Sequence, residues 1–266
     1  MNIHEYQAKE LLRKIGVPTL KGVLCTSPEE ALSAAKSLGG KVWVVKAQVH
    51  AGGRVKGGGI KIAKSPEDAH DLTQKMLGMR LVTPQTGAEG KIVHKVYIEE
   101  GCDIEREIYA AVLMDSRISA VDLKASTAGG MDIEEVAENE PHLIQKVVIR
   151  PGQGISDFHG RKLAYGLGLT GDAAAAASRI FVQLYRLYTE YDCALVEVNP
   201  LVITKDQRVI PLDCKINFDS NALYRHKDIR EMRDILEEDP GEVEASKFDL
   251  AYIKLDGNIG CLVNGA

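Results

Sequence analysis

The sequence predicts an α/β fold, in its α+β form, built from two lobes. Helix-like and strand-like segments alternate along the 266 residues, and such alternation is typical of layered α/β and α+β architectures. Two early helices begin with the same serine–proline–acid pattern, and a glycine-rich loop joins two apolar strands between them. The second lobe follows the segment Glu99–Asp103 and ends in a predicted hairpin.

Bulk composition limits the classes of function that remain. The net charge of −5 argues against nucleic-acid binding, which needs a basic patch. No run approaches the ~20 apolar residues of a membrane-spanning helix. Glu5 and Glu10 argue against a targeting peptide, because such peptides are poor in acids. The five cysteines are scattered and form no CxxC pair, which predicts reduced thiols in a cytosol.

Helix signals and a strand pair organise the first lobe. Asn2, followed three residues later by Glu5, predicts a capped first helix that Gly16 ends. Segments 27–30 and 65–68 each read Ser-Pro followed by two acids, which predicts two further helix starts. Between them, KVWVVKAQVHAGGRVKGGGIKIA predicts two strands joined by a glycine-rich loop.

The second lobe continues the alternation. REIYAAVLMD and ISAVDLKAS predict paired strands, and ALVEVNPLVITKDQRVIPLDCKINF predicts a hairpin. Segment 166–171 spells GxGxxG, but helical sequence lies on both sides, so we interpret it as a turn between two helices rather than a cofactor motif. The acidic stretch Glu237–Glu244 is interpreted as a solvated connector into final strands, and the chain ends as if cut.

The glycine loop is a candidate phosphate clamp. Glycines 52, 53, 57, 58 and 59 let backbone N–H groups approach an anion closely. Arg54 and Lys56 add positive charge, and Lys46 ends the apolar strand before the loop. The loop is not a Walker motif, because GxxxxGK[ST] is absent. The alternative is a mobile hairpin tip with solvated basic side chains.

The hairpin near position 200 is a candidate metal site. Strand alternation places Glu197 and Asn199 on one face. If the turn is centred near Asp206, Asn199 faces Asp213 across the hairpin. Carboxylate and amide oxygens in a sparse set suit Mg²⁺, which takes its remaining ligands from water and phosphates. The alternative is an exposed hairpin with polar side chains facing outward.

A third candidate is the acidic segment after the strand Lys95–Ile98. Glu99 and its neighbours could meet a ribose or a base at the lobe boundary, and Glu107 on the next strand could reach the same space. Acids at a strand end are more often simply solvated. Among the histidines only His50, beside the glycine loop, is of interest, and a structural role is favoured for it.

The sequence then resembles a known family, the β subunit of succinate–CoA ligase. The strings that carry the resemblance span the chain in order: MNIHEYQAKELL, VVKAQVHAGGR, LVTPQTG, GGMDIEEVAE, EVNPLVITKD, NALYRH, REMRD and LDGNIGCLVNGA. The resemblance implies an ATP-grasp fold over 1–240, with lobes of about 1–20 plus 104–240 and of 21–100. Residues 241–266 are then the beginning of a truncated, flavodoxin-like C-terminal domain.

Site residues carry over from this resemblance by position. It implies Mg²⁺ ligands at Asn199 and Asp213, an acid that assists phosphoryl transfer at Glu197, and a contact with the carboxylate substrate at Asn264. The nucleotide contacts that it implies are Lys46, Gly53, Arg54, Val55, Glu99, the backbone of Cys102, and Glu107.

The resemblance also implies a reaction and partners. A Mg²⁺-complexed ATP or GTP, giving ADP or GDP, phosphorylates a histidine on an α subunit in the bacterial cytoplasm. The phosphoryl group passes to succinate, and CoA, bound mainly by the α subunit, then forms the thioester of the tricarboxylic acid cycle. The assembly is expected to be αβ or α2β2, and the ligase is expected to be the ADP-forming type.

Departures from the family pattern leave alternatives open. Val55 stands where the family usually has glycine, so the loop is expected to be stiffer. Because the family continues past Ala266, this chain is expected to bind nucleotide without completing the reaction alone. The alternatives are the β subunit of malate–CoA ligase, or a truncated module that binds nucleotide or supports assembly without catalysis.

Overall fold

The computed structural model describes every residue except Asp249, Ala251, Asp256 and 264–266. The chain divides into two compact units, Met1–Arg233 and Asp234–Ala266. None of the helices formed by the described residues is both long and apolar enough to cross a bilayer.

The first unit holds the strands and most of the helices. Its strands are β1 (Gly22–Cys25), β2 (Trp43–Ala47), β3 (Ile60–Ala63), β4 (Arg80–Leu81), β5 (Lys91–Ile92), β6 (Val96–Glu100), β7 (Ile104–Asp115), β8 (Ala120–Ser126), β9 (Ile144–Ile149), β10 (Cys193–Thr204), β11 (Val209–Pro211) and β12 (Cys214–Phe218). Its helices are α1 (Glu5–Lys14), α2 (Pro28–Leu38), α3 (Pro66–Met76), α4 (Ile133–Asn139), α5 (Asp157–Gly166), α6 (Gly171–Glu190) and α7 (Lys227–Arg230).

The smaller lobe is an antiparallel sheet with the strand order β1-β6-β2-β3. Helices α2 and α3 pack against each other and against these strands, and their alanines meet buried side chains such as Trp43, Val45 and Ile98. Ser27 and Ser65 cap the two helices, and each serine oxygen accepts a backbone N–H three residues on. These predicted helix starts are confirmed.

The larger lobe is a six-stranded sheet in the order β11-β10-β7-β8-β9, with β12 paired to β10. Helices α5 and α6 pack on the sheet, and α1 joins the same hydrophobic core through Ala8, Leu11 and Leu12. The turn after Gly166 has Gly168 at φ +72°, and α6 starts at the N-cap Thr170. The rejection of a GxGxxG cofactor motif there is therefore supported.

The first helix is capped differently from the prediction. Its N-cap is His4, whose backbone N–H donates to Gln7 Oε1 at 2.9 Å. Asn2 instead forms a bridge with Asn217, and their side chains hydrogen-bond at 2.7 Å. The prediction of an Asn2 cap was wrong because Asn2 pairs with Asn217 of β12. Helix α1 ends before Gly16, as predicted, and Gly16 has φ +80°.

The predicted hairpin register is confirmed. Leu201 lies opposite Pro211 and Ile203 opposite Val209, while Glu197 lies opposite Lys215 in the β10–β12 pair. Asn199 therefore meets Asp213 in the gap between β11 and β12, where the Asn199 backbone N–H donates to the Asp213 carbonyl at 3.2 Å.

The second unit contains a short helix rather than a solvated connector. Helix α8 (Pro240–Ser246) is capped by Asp239, whose carboxylate accepts the Gly241 N–H at 2.7 Å. Acids of the predicted connector lie on this helix, because Pro240 and the cap favour a helix start there. The final strands that the connector was expected to reach do not form among the described residues of this unit.

Candidate functional site

The first unit buries a cluster of charged side chains between its four-stranded and its six-stranded sheet. Lys46 comes from β2, Arg54 from the glycine loop and Glu5 from α1. One Glu5 oxygen lies 2.9 Å from Lys46 Nζ and the other 2.7 Å from Arg54 Nη2. Arg54 Nη2 also lies 2.7 Å from Asp213 Oδ2. The sequence-predicted phosphate and metal residues therefore meet in one place.

Protein oxygens hold both cations of this cluster. Lys46 Nζ donates to Glu5 Oε1 and to Leu212 O at 2.7 Å, and it forms an ion pair with Glu99 Oε2 at 2.6 Å. The Nη2 group of Arg54 is shared between Glu5 and Asp213, and its Nη1 donates to Ala47 O at 2.8 Å. An ammonium has three N–H donors, so a phosphate reaches Lys46 only by replacing a present partner.

Burial and charge together shift the pKa values in the cluster. Burial alone would raise the pKa of Glu5, but the charges of Lys46, Lys9 and Arg54 outweigh it and hold that pKa well below its ordinary value. Burial likewise opposes charge on Lys46 and Arg54, whereas their carboxylate neighbours raise both pKa values. The neighbouring charges therefore favour the charged forms of Glu5, Lys46 and Arg54.

The glycine loop differs from the predicted anion cradle in its second half. The N–H groups of Gly57, Gly58 and Gly59 donate to the carbonyls of residues 53, 55 and 54, and so are used inside the loop. Gly53 has φ +70°, which favours glycine. Val55 is 69% exposed and does not adopt a left-handed φ, so the loop accepts it without strain.

The hairpin brings oxygen ligands to one edge of the cluster. Asn199 Oδ1 accepts the Gly130 N–H at 2.7 Å, and Asn199 Nδ2 donates to Met131 O at 3.0 Å, which fixes the amide orientation. The Asp213 carboxylate, whose side chain is 31% exposed, is the most accessible acid of the cluster. Among the described residues, no group of three or more His, Cys, Asp and Glu side chains converges as a metal site.

Glu197 lies two residues before Asn199 on β10. Burial raises the pKa of its carboxyl, although the neighbouring Lys215 and a hydrogen bond with Tyr109 act in the opposite direction. The pKa of Tyr109 is raised in turn by burial and by Glu197. Glu197 is thus a partly desolvated acid beside the Asn199–Asp213 pair.

The positions of the remaining predicted residues agree less well with the sequence analysis. Glu99 is not at a strand end but inside β6, fully buried against Lys9 and Lys46, because two lysines compensate its charge. Cys102 is half-buried against the small cluster around Leu20. Glu107 is exposed on β7, opposite Val202 and beside Gly130. Asn264 lies outside the described residues.

Glu5 and Lys9 are residues of the cluster that the sequence analysis missed. Lys9 Nζ contacts Glu99, Leu212 O at 2.9 Å and Glu5 at 3.0 Å, and it is fully buried. A signal was present in α1, since Glu5 lies at helical spacing from the core residues Ala8 and Leu12. An acid on an apolar stripe predicts a buried partner.

The donor set suits a hard cation. Asp213 and Asn199 offer a carboxylate and an amide oxygen, and Glu197 adds a second carboxylate nearby. Such a sparse oxygen set fits Mg²⁺, which keeps several waters and shares phosphate oxygens. Lys46 and Arg54 on the facing side can neutralise a polyphosphate. The arrangement can therefore hold a metal-complexed anion.

Comparisons with known proteins give sequence relatives of this chain. A family model described as an ATP-grasp domain matches residues 2–203. A succinate–CoA ligase [ADP-forming] β subunit of Bdellovibrio bacteriovorus is 59% identical over all of this chain and 69% of its own length. The protein of the same name from Myxococcus xanthus is 57% identical over the same shares.

Solved structures with low sequence identity share the fold. ATP citrate lyase from Methanothrix soehngenii, in complex with citrate and coenzyme A, matches with a TM-score of 0.69 and 20% identity over 93% of this chain and 59% of its own. A dinucleotide-forming acetyl-coenzyme A synthetase from Candidatus Korarchaeum cryptofilum matches with a TM-score of 0.65 and 17% identity over 82% and 93% of the two chains.

Proposed function

Since this chain belongs to the family of succinate–CoA ligase β subunits and forms their nucleotide-binding ATP-grasp part, we propose that it binds Mg²⁺–ADP or Mg²⁺–ATP across the cleft between its two sheets. The observation that carries the proposal is the 2.7 Å contact between Arg54 and Asp213. This contact supports the proposal because it joins the cationic side and the oxygen-rich side, which one polyphosphate could then span.

Lys46, Arg54 and the first half of the glycine loop form the phosphate side. The loop N–H groups of residues 57–59 are used internally, so Gly53–Val55 is the part that approaches the phosphates. Charge-assisted hydrogen bonds from a lysine and an arginine are strong contacts for phosphate oxygens. Glu99, Cys102 and Glu107, near the lobe boundary, are assigned to the nucleoside end on the family resemblance.

Asn199 and Asp213 form the metal side. A bound Mg²⁺ supplies neutralisation of the polyphosphate charge and orientation of its terminal phosphate. The hydrogen bonds between the Asn199 amide and the Gly130–Met131 backbone hold that amide in place, and Asp213 would exchange its contact with Arg54 for the metal. Glu197, whose pKa is raised by burial, would assist phosphoryl transfer from its place near the Asn199–Asp213 pair.

The phosphoryl acceptor and the partner subunit are assigned from the family. The printed name of the relatives, a β subunit, implies an α subunit, and we assign to it the histidine that receives the phosphoryl group and the main CoA contacts. Succinate is the carboxylate substrate that we assign. The chain spans 69% of the length of its relatives, so activity, substrate and partner of the whole enzyme are proposals for this sequence.

Calorimetric titration of the chain with ADP, with and without Mg²⁺, tests the proposal. Wild type is expected to bind Mg²⁺–ADP, and a ligand at about a hundred times its Kd adds roughly 2.7 kcal/mol of stability in a parallel thermal-shift assay. Asp213→Ala is expected to lose the enhancement by Mg²⁺, because the variant lacks the accessible carboxylate of the metal side.

Asp206→Ala is the matched control, since it removes an acid at the exposed turn of the same hairpin. It is expected to bind like wild type. Equal Mg²⁺ enhancement in Asp213→Ala and wild type would exclude the metal assignment, and no binding of ADP to wild type would exclude the proposed function.

A further inference from the structure

We propose that Glu5 is a positioning residue of the nucleotide site: its carboxylate holds the Lys46 ammonium and the Arg54 guanidinium side by side, aimed at the polyphosphate. This inference rests on the proposed function. Glu5 comes from the first helix, where the sequence patterns gave it only a capping role, and the family resemblance implied no site contact for it.

The geometry of Glu5 is that of a bridge between the two cations. Its Oε1 lies 2.9 Å from Lys46 Nζ and its Oε2 lies 2.7 Å from Arg54 Nη2. The Gln48 amide reaches the same Oε2 at 3.5 Å, and Lys9 Nζ lies 3.0 Å from Oε1. A bidentate carboxylate therefore fixes both the separation and the direction of the two positive groups.

The helix that carries Glu5 is itself fixed. Ala8, Leu11 and Leu12 of α1 are fully buried in the larger hydrophobic core, and the Glu5 side chain is 2% exposed. A carboxylate on such a helix cannot follow a moving ligand without disrupting the core. The Glu5 carboxylate therefore stays in one position while it contacts Lys46 and Arg54.

Besides the contacts of Lys46 with Glu99 and of Arg54 with Ala47 O, each cation contacts one of two neighbouring residues. Lys46 donates to Leu212 O at 2.7 Å and Arg54 to Asp213 Oδ2 at 2.7 Å. Asp213 is the accessible member and the proposed metal ligand. If Asp213 served as a metal ligand, one N–H of Arg54 would become available to polyphosphate. Glu5 would keep its contacts with both cations.

The competing role for Glu5 is a counterion that phosphate displaces. The two roles predict opposite signs for a neutral replacement. Loss of a positioning group weakens the binding of phosphate, because both cations become free to adopt other orientations. Loss of a displaced counterion strengthens it, because the phosphate no longer competes with a carboxylate.

The experiment compares adenosine and Mg²⁺–ADP binding to Glu5→Gln, by ligand-observed NMR for adenosine and calorimetry for ADP. We expect ADP affinity to fall about tenfold or more, the size of a misplaced hydrogen bond to a charged group, while adenosine affinity stays within about twofold. Glu10→Gln, an exposed acid on the same helix, is the matched control and is expected to bind both ligands like wild type.

Further variants keep each outcome decisive. If Glu5→Gln does not fold, Glu5→Asp keeps the charge but is too short to span both cations, and a similar ADP-specific loss is expected. On an Arg54→Gln background the effect of Glu5→Gln is expected to shrink, because one of its two partners is gone. Tighter ADP binding, or equal losses for adenosine and ADP, overturns the positioning role.

The proposed function and this inference fail separately. If Arg54→Gln leaves ADP affinity unchanged, the phosphate assignment of the cleft is wrong. If Arg54→Gln weakens ADP binding and Glu5→Gln does not, the cleft assignment holds and only the role of Glu5 is lost.

Discussion

At the scale of single residues, the buried ion cluster contains its own compensating charges. Each cation contacts at least one carboxylate, and the positive and negative side chains of the cluster are equal in number: Lys9, Lys46 and Arg54 against Glu5, Glu99 and Asp213. Removing one partner from such a network leaves an uncompensated buried charge, which is strongly destabilising. Conservative variants are therefore the informative ones at these positions.

Glu197→Gln is expected to change how stability depends on pH. Because burial raises the pKa of Glu197, the folded protein holds this proton more tightly than the unfolded chain. The protonated Glu197 carboxyl makes its full contribution to the free energy of unfolding below the pKa of the unfolded chain, about 4.3 for a free glutamate. That contribution is lost as pH rises through the pKa of Glu197 in the folded protein. Glu197→Gln removes that loss and is expected to be relatively more stable than wild type near neutral pH.

Urea unfolding of wild type and Glu197→Gln between acidic and neutral pH measures the difference. Glu138→Gln, an exposed acid of α4, serves as the control and is expected to follow wild type. A constant stability difference between Glu197→Gln and wild type at all pH values would contradict the raised pKa.

At the scale of elements, the glycine loop owes its shape to packing against the strand residues beside it. A Cβ on Gly57 would lie 2.5 Å from Val82 O and 2.8 Å from Leu81 Cδ1. The N–H of Gly57 also donates to Gly53 O at 3.3 Å. The glycine thus allows the loop to close against the β4 region and to hold Arg54 in the buried cluster.

Gly57→Ala is expected to displace the loop, lower the melting temperature and weaken ADP binding, because a methyl group has no room beside backbone. Gly257→Ala is the control, since a Cβ there meets nothing within 4 Å. Thermal denaturation and calorimetric titration of the two variants provide the measurement. Wild-type behaviour of Gly57→Ala would show that the loop adapts.

Sequence reasoning located the elements better than it located the buried charges. The hairpin register followed from alternation and a turn near Asp206, both of which are local properties. The burial of Glu99 in β6 and the contacts of Glu5 depend on which side chains meet between the two lobes. A single sequence does not contain that long-range information. Internal bonding of the N–H groups of Gly57–Gly59 was likewise invisible, because glycine content permits several loop conformations.

At the scale of the whole molecule, the described residues of the first unit form two large hydrophobic cores, with the ion cluster between them, and a small third cluster around Leu20. One core lies beneath the six-stranded sheet and the other beneath the four-stranded sheet. The smaller core supports the strand that carries Lys46 and the loop that carries Arg54. Stability of this smaller core is therefore expected to influence ligand binding.

Ile98→Ala is expected to destabilise the protein by about 2–5 kcal/mol, the range for truncating a buried isoleucine, because Ile98 is fully buried in the smaller core. Ile62→Ala is a matched control on the same sheet, with Ile62 65% exposed, and is expected to stay within about 0.5 kcal/mol. Urea unfolding measures both. Similar losses in the two variants would show that the smaller core does not contribute as described.

Under the proposed function, the contact between Arg54 and Asp213 makes the binding of metal and of nucleotide interdependent. Mg²⁺ bound at Asp213 would release an N–H of Arg54 for phosphate, and phosphate bound at Arg54 would release a carboxylate oxygen for Mg²⁺. By thermodynamic reciprocity, each ligand would then raise the affinity for the other by the same factor. The site is therefore expected to respond weakly to free inorganic phosphate or to free Mg²⁺, and strongly to the two arriving as one complex.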